Sequence, residues 1–411
     1  MYRAHHPNDP GMHINSDSDS HTRLTYKDNP GFLDRLQSSC GATVFGILLV
    51  IFAFPVLYWN EGRAVETAMA LDEGLRAVVS LPSITEIQRQ YQDKLVHLTG
   101  PLKTGMVLND GEYGVALKAV KLKREVEMFQ WVEHQSTKEF DEGGKTRVET
   151  TYTYNQEWQS SIQNSNQFDD PSRHRNPASM PVSAYVKVAD LVYVGEFKLS
   201  KGLVDKIENY QRFIPREVPS GKTVVLQDGI FYHSNDPLHP RVGDVRVTFS
   251  YAGLSGKPGS NLGEPQTVSI VARQYGSQLT HYHTSSGHSL ELLYIGEMSA
   301  KEIFEAEHAA NTAMTWILRG VGWLMLFFGF LLSTSILSTL VSWLPIVREL
   351  VGLGITLICF CLASSLSLVT IAIGWISHRP LLGIALLAAA AVPMLLSRLN
   401  KNKKKESKSF E

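Results

Sequence analysis

Residues 320–347 read GVGWLMLFFGFLLSTSILSTLVSWLPIV, residues 350–377 read LVGLGITLICFCLASSLSLVTIAIGWIS, and residues 380–397 read PLLGIALLAAAAVPMLLS. Between Gly320 and Ser397 the only charged side chains are Arg348, Glu349 and Arg379, with His378 as the one further titratable group. These residues cut the block into three apolar runs. A hydrocarbon core of ~30 Å takes about 20 apolar helical residues, so the first two runs are long enough and the third just suffices. In lipid only a helix or a closed barrel satisfies its own backbone groups. One such run is compatible with a buried helix of a soluble protein; three in succession predict a polytopic membrane protein.

The averages of the chain conceal this. Its 411 residues carry a formal net charge of -1 and a mean hydropathy of -0.08, values typical of soluble domains. A large polar region dilutes the apolar segments. The three cysteines, Cys40, Cys359 and Cys361, lie in or beside predicted spans, and Glu61–Thr315 holds none. That region is not disulfide-stapled and must rely on its own core.

On the N-terminal side, residues 1–36 are polar and poor in large apolar side chains, which predicts a mostly disordered tail. Residues 37–60 carry no charge and have an apolar centre, Val44–Trp59, predicting a first, uncleaved span. Further spans are expected at 320–342, 350–375 and 380–397. The basic tail 398–411, with Arg398, Lys401, Lys403, Lys404, Lys405 and Lys408, is expected on the cytosolic or nucleoplasmic side. Four spans then place the N-terminus on that side too, with residues 61–319 lumenal. Acidic side chains outnumber basic ones in this loop, which argues against nucleic acid as a partner. It has neither an Asn-x-Ser/Thr sequon nor a cysteine, which favours an intracellular endomembrane address.

The loop reads as β-rich between two helical stalks, 61–79 and 299–318. In Val120–Val132, Val120, Leu122, Val126, Met128 and Val132 share one parity, and in Asp244–Tyr251, Val245, Val247, Phe249 and Tyr251 do the same. Such period-two patterns predict strands with one buried face. Lys94–Thr99, Thr150–Trp158, Val186–Phe197, Thr223–Tyr232, Thr267–Ala272 and Ser289–Ile295 are further strand candidates. Ser299-Ala300-Lys301-Glu302 has the form of a capping box at the start of the second stalk. The expected class is therefore a multi-pass α-helical membrane protein of four transmembrane helices, with a large lumenal β-rich α+β domain between the first and second spans.

Several strings resemble the LUMA (transmembrane protein 43) family. They are Pro30-Gly31-Phe32-Leu33-Asp34-Arg35-Leu36, Asn60-Glu61-Gly62-Arg63-Ala64, Ala119-Val120-Lys121-Leu122-Lys123, Val126 through Glu133, and Val242 through Gly256. The resemblance runs from about Pro30 to the fourth span. It implies a protein of the endoplasmic reticulum and inner nuclear membrane that organises envelope complexes, with emerin and lamins as partners and with self-association. It brings no catalytic motif and no cofactor.

The residues themselves offer little chemistry. His281, His283 and His288 are better read as strand-surface histidines than as metal ligands, since no cysteine is near. Ser255-Gly256-Lys257-Pro258-Gly259 lacks phosphate-loop spacing. No enzyme is expected. An ion channel, or a protein that modulates one, is the rival class, although the spans hold no ionisable residue away from their ends. Small residues and hydroxyls in the spans are the candidate helix-packing or oligomer contacts: Ala42 and Gly46 in the first, Ala363, Ser364, Ser365 and Ser367 in the third, Ala385 and Ala389 in the fourth. A bulky residue at Ser365 is expected to overpack such a contact. Cys40 is a candidate lipidation site, and the basic C-terminal tail a candidate contact for anionic lipid headgroups.

Overall fold

The computed structural model describes residues 12–16, 19–28, 32–142, 144–218, 221, 223–256, 262–335 and 345–379. The fourth predicted span, with Ala385 and Ala389, and the basic tail lie outside these residues. The chain divides into a β-rich unit and a helical unit.

Among the described residues the β-rich unit holds two large sheets. One is built on the strands Ala119–Glu142 and Lys145–Gln159, an antiparallel hairpin that pairs from Met128↔Gln159 to Glu142↔Lys145. Val245–Leu254 pairs the other edge of Ala119–Glu142 from Val245↔Met128 to Leu254↔Ala119. In the second sheet the pairings close on themselves. Leu95–Thr104, Thr267–Tyr275, Gln278–Thr280, Phe197–Leu199 and Val192–Val194 form a ring of five strands. One core joins the sheets, with Leu98, Leu122, Met128, Phe231, Phe249 and Ile270 among its fully buried members.

The predicted parity holds from Leu122 to Met128, while Lys121 on the other face is also buried and Val132 is only half-buried. Leu122, Val126 and Met128 are buried while Lys123, Glu125 and Glu127 stay partly exposed. Arg124 departs from the binary pattern: it takes a core position in the same row and is only 6% exposed. Its Nη1 donates to Asp110 Oδ2 at 3.0 Å and to Glu112 Oε2 at 2.8 Å, and its guanidinium lies 4.5 Å from the Tyr185 ring. Tyr185 also donates to Asp110 Oδ2, at 2.5 Å. Burial first, and then this bond to a carboxylate, push the Tyr185 hydroxyl above the usual phenol range.

The N-terminal segment differs from expectation. Met12–Ser16 and Ser20–Asp28 are strands, and the second pairs with Lys145–Gln159 from Ser20↔Thr153 to Asp28↔Lys145. A disordered tail was expected because this stretch has few apolar residues to bury. It is ordered instead by backbone pairing at a sheet edge and by one polar cluster. His21 Nε2 lies 2.5 Å from Asp169 Oδ2, Arg23 pairs with the other oxygen at 2.7 Å, and the His21 ring stacks on Tyr152 and Tyr154. Paired strands occupy one aqueous compartment. Ser20–Asp28 precedes the first apolar helix and Lys145–Gln159 follows it, so this ladder excludes a single crossing by that helix while the ladder is formed.

Among the described residues the helical unit contains three helices long and apolar enough to cross a membrane. The first, Phe32–Ala77, has 46 residues, about 69 Å, and runs through Pro55 without ending. The predicted span and stalk are thus one helix. The second is Ala300–Ser333 and the third Pro345–His378. Gly46, Ala53 and Leu57 on the first helix, and Gly322, Leu326 and Gly329 on the second, form buried stripes at spacings of three, four and seven residues. The two helices pack antiparallel through them. A Cβ added to Gly46 would lie 2.6 Å from the Gly329 carbonyl oxygen, and one on Gly322 would collide with Leu57 Cδ2. Glycine is required there because the backbones approach so closely.

Candidate functional site: a polar junction at one end of the apolar helices

Each apolar run is bounded by polar residues: Asn60 and Glu61 after the first, Arg319 before the second, His378 and Arg379 after the third. Helical packing brings all five to the same end of the helical unit. Glu61, 1% exposed, receives two hydrogen bonds from Arg319, Nε to Oε1 and Nη2 to Oε2, both 2.7 Å. This is the bidentate fork that planar guanidinium and carboxylate groups form best. Asn60 Nδ2 donates to the Thr315 carbonyl at 3.1 Å. Arg63 donates to Asn311 Oδ1 at 3.0 Å, to Thr315 Oγ1 at 3.1 Å and to Asn60 Oδ1 at 3.2 Å. Asn311 Nδ2 donates to the Ala64 carbonyl at 2.9 Å. Buried polar groups are costly unless bonded, and here the two helices satisfy one another except at Arg63 Nε, which is buried without a hydrogen-bond partner.

The third helix closes the junction. A Cβ on Gly62 would meet His378 Nε2 at 2.7 Å, and one on Gly374 would meet Glu61 Cβ at 3.0 Å. The His378 ring lies 5.5 Å from that of Tyr58. Arg319 lies 4.9 Å from the Trp316 ring and Arg379 5.6 Å from the Trp375 ring. A cavity of about 200 Å³ opens between the helices, with Ala64, Ala68, Thr312, Trp316, Trp375 and Arg379 on its walls.

The predicted contact residues separate into two sets. Gly46 and Ala363 are buried in helix contacts, with Ala42 half-buried. The half-buried Ser364 accepts at Oγ from Trp323 Nε1 at 3.1 Å, and the buried Ser367 donates to the Ser364 carbonyl at 3.1 Å. Ser365 is exposed, so a larger side chain there meets no neighbouring helix within the described residues. Among the described residues an added Cβ is overpacked at Gly46, Gly322 and Gly329. Cys40 and Cys361 are exposed and Cys359 is buried. Among the histidines, His283 Nδ1 lies 3.1 Å from Ser289 Oγ and His281 Nδ1 lies 3.4 Å from Thr280 Oγ1. Among the described residues no group of three or more His, Cys, Asp or Glu is placed to hold a metal ion.

Glu61 with Arg319 went unread in the sequence, and so did Gly322 and Gly329. A signal for the first was present: opposite charges close two spans that must run antiparallel. For the second it was the seven-residue step from Thr315 to Gly322 to Gly329.

Apolar helices paired by glycine contacts, together with a β-rich unit of this size, define a membrane protein with a large polar domain. Residues 128–380 match the family model described as Transmembrane protein 43. Transmembrane protein 43 of Homo sapiens is 43% identical over 379 residues, covering 92% of this chain and 94% of the relative. That of Mus musculus is 44% identical over 379 residues, and the Transmembrane protein 43 homolog of Drosophila melanogaster is 37% identical over 369 residues. The chain belongs to the transmembrane protein 43 family. No solved structure matches it.

Proposed function

We propose that the protein is a non-enzymatic membrane scaffold. In this reading it organises complexes at the endoplasmic reticulum and inner nuclear membrane and maintains envelope structure with emerin and lamins. The observation that carries the reading is the way the helices use their polar groups. Glu61 and Arg319 neutralise each other. The third-helix hydroxyls of Thr356, Ser367, Thr370 and Ser377 bond to carbonyls of their own helix. A paired Glu61–Arg319 and hydroxyls bonded within their own helix suit a fixed platform better than an ion path, which marks itself by polar groups facing a lumen.

In the same reading the basic tail is cytosolic or nucleoplasmic and touches anionic headgroups, the β-rich unit is lumenal, and the first helix crosses the membrane. That crossing and the Ser20–Asp28 ladder exclude each other, and magnitudes favour the crossing. A ladder hydrogen bond contributes about 1 kcal/mol net, which the roughly 1–2 kcal/mol cost of fixing each residue offsets, leaving the His21–Asp169–Arg23 cluster as the main hold on the strand. Lipid over the half-exposed Val44, Phe45, Ile47, Leu48, Ile51 and Phe52 contributes roughly 1 kcal/mol for each side chain. The N-terminal strand is therefore released when the first helix inserts.

The test has two arms on the purified full chain. Co-precipitation with emerin and lamins from solubilised nuclear envelopes is expected, together with absence of ion flux in liposomes. Flux above that of empty liposomes, with no retained envelope partner, would replace the scaffold by the channel reading.

A further inference from the structure

We propose that the cavity between Trp316 and Trp375 binds the phosphate of an anionic glycerophospholipid, held by Arg379. The inference rests on the helical unit being in lipid. Among the described residues the charges in and around the cavity do not cancel. Arg319 is neutralised by Glu61. His308, which also lines the cavity, faces Asp72 at 3.3 Å. Arg379 has its backbone N–H on the Ile376 carbonyl and its guanidinium over Trp375, and among the described residues no carboxylate lies within ion-pair distance of it. Among the described residues this guanidinium beside the cavity is a fork of donors without a carboxylate acceptor, and phosphate oxygens match it bidentately.

The surroundings select a lipid over a free ion. The side chains next to the cavity on the second helix, Trp316 and Ile317, are 65% and 60% exposed. They continue into the exposed Val321, Leu324 and Phe328, an apolar track along which acyl chains can lie. Tryptophan at this level is typical of the membrane interface, where headgroups sit. A volume of about 200 Å³ suits a phosphate with its adjoining glycerol, and the tails stay outside. This site is separate from the basic C-terminal tail, which offers only a run of positive charge in sequence.

The test is native mass spectrometry and thermal unfolding of the full chain in micelles titrated with phosphatidylserine, phosphatidylcholine or inorganic phosphate. The expected result is one retained phosphatidylserine and a raised Tm, with little effect from phosphatidylcholine or phosphate. Arg379→Gln should bind about tenfold more weakly, the loss of one charge-assisted contact. Ala68→Leu, which fills the cavity from its wall, should bind equally weakly. Replacing Lys401, Lys403, Lys404 and Lys405 with Gln should leave the retained lipid in place. Wild-type retention by Arg379→Gln or Ala68→Leu would overturn the proposal, as would loss of the retained lipid in the tail variant alone. Equal protection by inorganic phosphate would overturn the lipid as the source, and equal retention of phosphatidylcholine would overturn recognition of charge.

Discussion

The Glu61–Arg319 pair allows a prediction with an internal asymmetry. Glu61 is 1% exposed and the Arg319 side chain 21% exposed. Breaking a buried ion pair by removing one partner costs about 3–5 kcal/mol, most of it from the charge left behind. In Glu61→Gln the remaining cation reaches water and keeps the Trp316 ring at 4.9 Å, so the cost sits near the lower end, about 3 kcal/mol. In Arg319→Gln the remaining anion is enclosed by two helices and by Gly374 on the third, so the cost approaches about 5 kcal/mol. Replacing both residues with Met leaves no stranded charge, and the double variant should be more stable than the sum of the single Met variants implies, by about 2–3 kcal/mol. Reversible unfolding in mixed micelles, followed by tryptophan fluorescence at fixed detergent, measures all of these. Additive single-variant costs, or an Arg319 variant no less stable than the Glu61 variant, would show that the stranded charge does not set these costs.

Three more outcomes follow from the geometry. Gly46→Ala should destabilise the helical unit by about 1–3 kcal/mol, because its Cβ meets a backbone oxygen that cannot rotate away; an unfolding midpoint equal to wild type would contradict this. Ser365→Leu should leave that midpoint unchanged, since Ser365 is exposed, and any effect should appear only in oligomer size by light scattering. The buried hydroxyls of Tyr113, Tyr154 and Tyr185 have raised pKa values, each chiefly from burial. A folded pKa above the unfolded one means stability that is full below pH ~10 and lost as pH rises beyond it. Chemical denaturation at stepped alkaline pH should show the decline, and Glu133→Gln, which weakens the hold on the Tyr154 proton, should shift its midpoint.

The period-two rows of Ala119–Glu142 and Val245–Leu254 were legible because one face of each strand is buried against the common core, and alternation records that directly. The long helices were legible for the complementary reason, that lipid tolerates few charges. What escaped reading depends on partners distant in sequence. Arg124 looks like an interruption of a strand pattern until Asp110, Glu112 and Tyr185 are placed beside it. Ser20–Asp28 looks like a tail because its order comes from backbone pairing with Lys145–Gln159, which leaves little compositional trace. Ser365 and Ser364 are indistinguishable by residue type; only helix rotation decides that Ser364 faces Trp323 while Ser365 faces outward.

The proposed membrane crossing of the first helix, with the β-rich unit on the lumenal side, is open to glycan acceptor mapping. Pro237→Thr completes an Asn-x-Thr acceptor at Asn235, in an exposed turn of the β-rich unit, and Pro10→Thr completes one at Asn8, ahead of the first helix. Expressed in cells, the Pro237 variant should gain a glycosidase-sensitive mass shift and the Pro10 variant none. Glycans on both would place the N-terminal strand and the β-rich unit in one compartment, keep the Ser20–Asp28 ladder intact, and contradict a crossing by the first helix.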